Sequence, residues 1–311
     1  MESLQNIKRR LKGAQNIGTI TKAMELVEVT KMRKSQEIAL NSRPYAYTAL
    51  GIMGILSGLK DISLPELLCE RPISKTAFLL MASDKGLAGS FNSAVIRKFE
   101  SFVRAEKIDV YDPRYSFIAV GQKSKIYLER RNLPVIQSFN HLGDLMRLEE
   151  AEPIASFLVN GYLNADFDEV ILFSTNFVSA LRQDPVSHEL FPITFEKIKE
   201  SIDATIPQAG RYSHYLDGWS LAENGGGEYL IEPSAKEALE CLAPQLLKIR
   251  LYHLLLEANA SEHSARRVAM KNASENAADL SENLNVVYNK SRQAAITNQI
   301  IEVTSGAEIQ Q

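Results

Sequence analysis

Residues 245–304 read QLLKIRLYHLLLEANASEHSARRVAMKNASENAADLSENLNVVYNKSRQAAITNQIIEVT and contain neither proline nor glycine. Because these two residues are the strongest helix breakers, the segment predicts one helix of about 60 residues, roughly 90 Å long at 1.5 Å per residue. So long an uninterrupted helix is not expected inside a small globular domain. The helical pattern begins near Pro233 and stops at Gly306, and Pro244 is expected to kink or interrupt it.

Small side chains dominate the first half of the seam that we predict along this helix. Alanine and serine let a partner helix approach closely, so the seam predicts a coiled-coil partner. The predicted seam residues are Ala265, Ala269, Ala273, Ala277, Leu280, Leu284, Val287, Ser291 and Ala294.

A second helical pattern occupies residues 3–40, with Ser3 as its predicted N-cap. Its apolar residues recur at steps of three and four, which is typical of a coiled-coil seam, with one phase slip after Ala14 that would overwind the pair. Pro44 and nearby glycines weaken the pattern after about residue 43, and Pro65 ends the arm. The predicted seam is Leu4, Ile7, Leu11, Ala14, Ile17, Ile20, Met24 and Val27.

The middle of the chain alternates short β-rich runs with short helical runs, which favours a mostly parallel sheet with helices on its faces. The predicted strands are Thr76–Ser83, Ser116–Gly121, Leu133–Gln137, Glu169–Thr175 and a more exposed Pro185–Phe195. The predicted helices are Phe91–Arg104, Gln122–Arg131 and Leu145–Asn160. The fold prediction is therefore α/β: a Rossmann-like α/β globular domain joined to a long antiparallel coiled coil of the N- and C-terminal helices.

Charge and cysteine content exclude several classes. The net charge of −3 is too small and of the wrong sign to attract nucleic acid or an anionic membrane surface to the chain as a whole. Cys69 and Cys241 lie far apart and outside any CxxC motif, which disfavours a zinc or redox site. We expect no signal peptide, and no apolar run reaches eighteen residues, so membrane association would go through partners.

Residues 1–34 carry a local net charge of about +5, which is either an ordinary solvated helix face or a basic shaft that meets an acidic partner. The basic residues are Lys8, Arg9, Arg10, Lys12, Lys22, Lys31, Arg33 and Lys34, and the acidic ones are Glu2, Glu25 and Glu28.

Catalytic candidates are weak. The turn Asp84–Gly89 stands where a Rossmann phosphate loop would, but its G-x-x-G spacing lacks the fuller G-x-G-x-x-G pattern, so a structural βα turn is favoured. No nucleophile with its base, cofactor motif or metal-ligand spacing is evident. The histidines are His141, His188, His214, His253 and His263.

Two strings, ITKAMELVEVTKMRKSQ at residues 20–36 and VVYNKSRQAAIT at residues 286–297, closely resemble the terminal segments of the gamma-subunit family of the F-type rotary ATP synthase. The match continues in the right order through the middle of the chain. The further matching motifs are Asp84–Gly89 with Asn92, Tyr229-Leu230 with Glu232-Pro233, Ser261-Glu262, and Val268-Ala269-Met270-Lys271.

The resemblance implies a single-copy central-stalk rotor that is not itself an enzyme and needs no cofactor. The paired helices would stand inside a ring of three alpha and three beta subunits, where ATP is made or hydrolysed. The α/β body would contact the epsilon subunit and the membrane ring of c subunits. No nucleic-acid contact is implied, and the membrane would be reached only through the c-ring, on the cytoplasmic face of a bacterial inner membrane.

Carried over by position, the resemblance implies three groups of contact residues. A beta-subunit loop would be caught by Arg292, Gln293 and Thr297. Acidic beta-subunit loops would lie at or near Lys22, Met24 and Arg266. The foot near the c-ring and the epsilon subunit would include Tyr229 and Glu232.

The chain departs from the family at two places. Glu28-Val29-Thr30 replaces the usual small residues, which would tighten the clearance and change the charge of the shaft, and Pro244 interrupts an arm that is usually continuous. The paired regulatory cysteines of the chloroplast version are absent.

We divide the chain into an N-terminal coiled-coil helix (1–60), an α/β domain (74–200), a loop (201–232) and a C-terminal helix (233–311). Two alternatives stay open at this point. The first is a nucleotide-binding enzyme with helical dimerisation arms, and the second is a free-standing coiled-coil scaffold.

Overall fold

A computed structural model describes residues 3–57, 65–192, 231–232 and 234–308. The predicted loop at 201–232 therefore lies almost wholly outside the described residues, as do Tyr229, Pro233 and the end of the last predicted strand.

Two long helices carry the ends of the described chain. Helix α1 spans Leu4–Ser57 and continues through Pro44, so the weakening after residue 43 does not end it. The predicted N-cap is confirmed, because the Asn6 N–H donates to the Ser3 hydroxyl at 3.3 Å.

The C-terminal helix, which we number α5, spans Ala235–Glu308 and contains Pro244. The predicted interruption at this proline is wrong; a bend there stays a prediction. A proline costs a helix interior one hydrogen bond. Here the residues on both sides of Pro244 are anchored by burial, including Ala243, Leu246 and Leu247, and this packing holds the helix together.

The middle of the chain forms a five-stranded sheet in the order β3-β2-β1-β4-β5. The strands are β1 (Thr76–Met81), β2 (Tyr115–Val120), β3 (Val135–Phe139), β4 (Glu169–Ser179) and β5 (Arg182–Phe191). The helices between them are α2 (Phe91–Ala105), α3 (Gln122–Arg130) and α4 (Leu148–Leu163). The first four strands run parallel and β5 pairs antiparallel with β4, so the mostly parallel, Rossmann-like prediction is confirmed.

Alternate residues of the buried strand β1 pack into two separate hydrophobic cores, because successive side chains of a strand point to opposite faces of the sheet. On one face, Phe78 packs in an aromatic cluster with Phe99 of α2, Phe117 of β2 and Phe173 of β4. On the other face, Leu79 belongs to a core that also takes in α4 and the residues of α5 near 239–258.

The chain divides into two compact units, and the division crosses both long helices. Unit 1 comprises residues 1–28 and 266–311, and unit 2 comprises residues 29–265. Residues 251–261 of α5 are buried all round within unit 2, as expected for a helix enclosed by its own domain.

A buried carboxylate ties the entry of β1 to the entry of β4. Asp168 accepts hydrogen bonds from the Ser74 hydroxyl at 2.7 Å and the Lys75 N–H at 3.0 Å, and it pairs with Arg71 at 2.7 Å. Burial alone would raise the pKa of this carboxyl, but these hydrogen bonds and the Arg71 charge outweigh it and lower the pKa to about 2.

Asp168→Asn is expected to lower the free energy of unfolding by about 1–2 kcal/mol at pH 7, once partial solvent screening is allowed for. The folded-state pKa lies below the unfolded value of 3.8, so the stabilisation is present above about pH 4 and lost as the pH falls toward about 2. Urea unfolding at several pH values checks this, with the exposed Asp166→Asn as control. A stability difference that does not shrink with falling pH would contradict it.

Candidate functional site: the antiparallel coiled coil

Within unit 1 the two terminal helices lie antiparallel and in close contact. Glu28 pairs with Arg266, and a Cβ placed on Gly18 would lie 3.5 Å from the Ala277 Cβ. Residue numbers therefore decrease along α1 from 28 to 18 while they increase along α5 from 266 to 277, so the two helices run in opposite directions. The antiparallel coiled coil predicted from the sequence is confirmed.

The buried face of α1 follows an unbroken seven-residue repeat. Ile7, Ala14, Thr21 and Glu28 are all buried, and Leu11, Gly18 and Glu25 between them are half-buried. The predicted phase slip after Ala14 is thus wrong. Ile17, Ile20 and Val27, which we placed in the seam, are each more than half exposed, with exposed fractions of 56%, 59% and 51%.

The seam of α5 is only partly the predicted one. Ala277 and Leu284 are buried as expected, and Ala273 and Ser291 are half-buried. Leu280, Val287 and Ala294 are exposed, so their assignment to the seam is wrong. The inward positions are Arg266, Met270, Ser274, Ala277, Ser281, Leu284, Tyr288 and Ser291, again at steps of three and four.

Small side chains create an open groove between the two helices. The groove has a volume of about 770 Å³, and Gly18 and Ala277 lie at its floor. Lys22 and Leu26 stand among its lining residues, and both are exposed. The two helix backbones therefore come close together at Gly18 and Ala277. Larger apolar and basic side chains, such as Leu26 and Lys22, are exposed on the described surface of unit 1.

Polar groups in the seam have partners inside the chain. Thr21 donates its hydroxyl to the Ile17 carbonyl at 2.9 Å, so its burial leaves no unpaired donor. Glu28 and Arg266 meet at 3.4 Å, with side chains only 6% and 4% exposed.

Arg292, Gln293 and Thr297 are all exposed, and so is every residue from 292 to 301. If the antiparallel register continues, Ser291 lies beside Leu4, the first residue of α1. Within the described residues, α5 therefore continues past the first residue of α1, which explains why no residue from 292 to 301 is buried.

The three residues expected near acidic loops have different surroundings. Lys22 is exposed and pairs with Glu25 at 2.9 Å, and Met24 is half-buried. Arg266 is buried against Glu28, so its guanidinium is not a surface contact group in this structure. The expectation that Glu28 changes the charge on the surface of the shaft is also corrected. Its carboxylate is buried in the seam and adds no charge to the outer face. Of the two foot residues, Glu232 is exposed and Tyr229 lies outside the described residues.

In unit 2, the Asp84–Gly89 turn is held by its own side chains. The Asp84 carboxylate accepts the Gln122 N–H at 2.8 Å and the Leu142 N–H at 2.9 Å. The cavity beside the turn has a volume of about 40 Å³, whereas ligand pockets usually have several hundred. The N-terminus of α3 thus already binds the Asp84 carboxylate, and the cavity holds only one or two water molecules. Both observations favour a structural role for this turn over phosphate binding.

A second carboxylate ties the same turn to α1. Asp144 accepts hydrogen bonds from Lys31 at 2.8 Å and Lys85 at 2.6 Å, and these bonds lower the pKa of its carboxyl to about 2. His263 of α5 contacts the Asp144 carbonyl at 2.9 Å.

Within the described ranges no group of three or more His, Cys, Asp or Glu side chains could hold a metal ion. The same ranges contain no helix that is long and apolar enough to cross a membrane.

Sequence reasoning missed the pairing of Glu28 with Arg266. The signal was present as a strict spacing of seven through Ile7, Ala14, Thr21, Glu28 and Ser35, all of which are buried. A prediction based on large apolar residues alone misses this seven-residue repeat, because three of these five side chains are polar.

Comparison with known proteins agrees with this architecture. A solved chain of the Tetrahymena thermophila mitochondrial ATP synthase central stalk and c-ring is similar with a TM-score of 0.55 and 22% identity, covering 82% of this chain and 99% of that one. A chain of the Euglena gracilis mitochondrial ATP synthase (OSCP/F1/c-ring) gives a TM-score of 0.62 at 15% identity, covering 97% and 92%. The fold is thus that of the helical-shaft α/β proteins found in ATP synthase structures.

Sequence comparison narrows this class. A family model described as ATP synthase matches residues 3–309. The ATP synthase gamma chain of Moorella thermoacetica is 35% identical over 308 residues, covering 99% of both chains. That of Pelotomaculum thermopropionicum is 36% identical over 310 residues, again covering 99% of both. The chain belongs to the ATP synthase gamma chain family.

Ala277→Leu is expected to destabilise unit 1 by about 1–3 kcal/mol, because the larger side chain must displace α1 at Gly18. The neighbouring Ala278→Leu is the matched control, since Ala278 is exposed. Thermal unfolding of the full chain followed by circular dichroism measures both variants. Equal melting temperatures for the two variants would show that the seam is misplaced.

Proposed function

We propose that this chain is the central-stalk rotor of an ATP synthase and couples rotation of a membrane c-ring to ATP synthesis or hydrolysis on the beta subunits. The observation that carries the proposal is the exposed antiparallel coiled coil of residues 3–28 with 266–291, beyond which α5 continues as a single helix. Family membership over 99% of the chain supports it.

The outer face of the shaft supports an enclosing partner. Large apolar side chains point outward along both helices, among them Leu26 at 61% and Val286 at 65% exposure. A shaft that stood alone in water would gain stability from turning these groups inward, at roughly 25 cal/mol per Å². Their outward position favours a partner that surrounds the shaft. Among the described residues of unit 1, the other exposed large apolar side chains are Ile17, Ile20, Val27, Leu280, Val287, Ile296, Ile300 and Ile301.

The charge of the shaft favours acidic loops as the contacting surface. In α1 up to residue 28, the basic side chains are exposed, whereas Glu25 is half-buried and Glu28 is buried. Electrostatic attraction to acidic beta-subunit loops needs no single fixed geometry, which suits a contact that slides as the shaft turns. The exposed basic residues are Lys8, Arg9, Arg10, Lys12 and Lys22.

Arg292, Gln293 and Thr297 form the proposed catch for a beta-subunit loop. Positions 293 and 297 are one helical turn apart and 292 adjoins them, so the three lie on one side of an exposed single helix. Lys22 and Met24 are kept as proposed contacts, and Arg266 is proposed to support the shaft from within.

We assign the α/β body no catalytic step, because the Asp84 carboxylate occupies the turn and the cavity beside it has room only for water. Glu232, and Tyr229 beside it in sequence, would belong to the foot that contacts the epsilon subunit and the c-ring. The chain would then be peripheral on the cytoplasmic face of a bacterial inner membrane.

Co-purification and rotation test the function directly. The chain should co-purify as one copy with three alpha and three beta subunits. With Cys69 changed to serine, a probe on the exposed free cysteine Cys241 should rotate during ATP hydrolysis when the beta subunits are immobilised. Hydrolysis without probe rotation, or tight nucleotide binding by the isolated chain, would refute the rotor and favour the nucleotide-binding alternative.

Arg292→Ala with Gln293→Ala is expected to lower ATP turnover or ion coupling of the assembled complex by about three- to tenfold, through loss of polar contacts to a beta-subunit loop. Asn298→Ala is the matched control, because Asn298 is exposed on the other side of the same helix. The melting temperature of the chain should stay constant in both variants. Normal turnover and coupling in the double variant would exclude these side chains from the catch.

A further inference from the structure

The far part of the β4–β5 hairpin has no third strand beside it in the sheet. Strand β1 pairs with β4 only as far as Phe173, so residues 174–187 form a two-stranded ribbon that extends past the other strands. A ribbon of two strands is at best marginally stable in water on its own. Its position must therefore depend on contacts outside the sheet, and the structure shows such contacts with helix α5.

Helix α5 binds backbone carbonyls of the ribbon with its side chains. Thr175 lies opposite Pro185, which has no N–H, so this pair exchanges no ladder hydrogen bonds and the Thr175 carbonyl points away from β5. Ser261 donates its hydroxyl to that carbonyl at 3.4 Å. Nearer the tip, Ser264 donates to the Ala180 carbonyl at 2.7 Å. The ribbon therefore obtains part of its hydrogen bonding from α5.

A histidine at the base of the ribbon faces α5. His188 pairs across the strands with Leu172, whose side chain belongs to the core that includes α5, so the imidazole ring lies on the α5 side of the sheet. Its Nε2 atom is 3.3 Å from Oδ1 of Asn176. Since an amide oxygen only accepts hydrogen bonds, this contact assigns the hydrogen to Nε2, and the neutral ring can make it.

A proton on this ring would place a second positive charge beside a buried guanidinium. Arg250 of α5, which is 3% exposed, donates to the carbonyl of Glu189, the residue after His188, at 2.8 Å. Burial, and then the Arg250 charge, lower the pKa of His188 from 6.5 to about 4. The Glu189 side chain points to the opposite face of β5. The other titratable side chains on the facing sides of α5 and β5 are His253, Glu257 and Asp184.

We propose that the β4–β5 ribbon is an acid-released element, which packs on α5 while His188 is neutral and separates from the helix when His188 takes up a proton. In the open form the ring reaches water, where a histidine binds a proton with its ordinary affinity. Protons therefore favour the open form over the closed form. This release is a property of the chain alone and does not rest on the proposed rotor function.

The size of the effect follows from the pKa of His188 in the two forms. The closed-form pKa of about 4 lies below the ordinary value of 6.5. The closed form is therefore fully favoured above about pH 6.5, and this advantage is lost as the pH falls from there to about 4. From about pH 7.5 to about pH 5, the equilibrium constant for opening should rise about thirtyfold.

Hydrogen exchange of the full-length chain measures this constant, once the rates are corrected for the pH dependence of intrinsic exchange. Peptides that cover residues 174–187, read by mass spectrometry, should show the rise of about thirtyfold. Low concentrations of urea should hardly change their exchange, because a local opening exposes little surface. Amides of β1 serve as the reference, since their exchange requires a larger unfolding that responds to urea.

His188→Gln removes the titrating ring but keeps a side-chain N–H donor for Asn176, so it should leave a rise in opening of at most about threefold. The matched control is His141→Gln, which should keep the rise of about thirtyfold because His141 is exposed. An NMR titration of the histidine rings, with the His188 signal assigned from its absence in His188→Gln, should give a pKa near 4 for His188 in the unchanged chain.

Equal opening of the ribbon at both pH values would overturn the acid release. So would an equal rise in His188→Gln and in the unchanged chain, because the titrating group would then lie elsewhere. A pKa of about 6 or higher for His188 in the folded chain would remove the physical cause. If ribbon and β1 amides rose together and both responded to low urea, the body would unfold as a whole and the ribbon would not be a separate element.

Discussion

The seven-residue repeat of α1 is the constraint on which the shaft depends. It holds one face of the helix toward α5 from Ile7 to Glu28, and a drift of one position would carry Glu28 out to solvent. The close approach of Gly18 to Ala277 then follows, because small side chains at these layers bring the backbones together. From Ala14 to Glu28 the inward positions of α1 are small or polar, and the large apolar side chains Ile17, Ile20 and Leu26 of this part of the helix lie on its outer face.

This distribution differs from that of a self-sufficient coiled coil, where large apolar residues fill the inward positions and charged ones lie outside. Here Ile17, Ile20 and Leu26 point outward while Thr21 and Glu28 point inward. Burial inside the pair therefore supplies only part of the apolar stabilisation that the sequence could give. The remainder becomes available only when another surface covers the outer face, which is the physical basis for proposing that the shaft works inside an assembly.

The sequence predicted the α/β body well and the seam of the shaft poorly, for the same physical reason. Strands such as β1 and β4 are buried by their own domain, so their apolar residues mark burial within this chain. Ile17 and Ile20 gave an equally clear apolar pattern, yet it marks the outer face, where a partner would lie. Hydrophobic periodicity does not say which protein buries a residue. Between Ala14 and Glu28 the inward face of α1 carries small and polar side chains, which give little apolar signal.

The same limit explains Glu28 and Pro244. A carboxylate in a basic arm suggests a solvated position, but Arg266 of the opposite helix, more than two hundred residues away in sequence, pairs with it inside the seam. A proline in a helical pattern suggests a break, and only the packing of Ala243, Leu246 and Leu247 against the body overrides it. In both cases a long-range contact outweighs a local preference of about 3 kcal/mol or more. Glu28 and Pro244 therefore both contradict their local sequence, and in each case contacts with residues distant in the chain or in the core compensate for it.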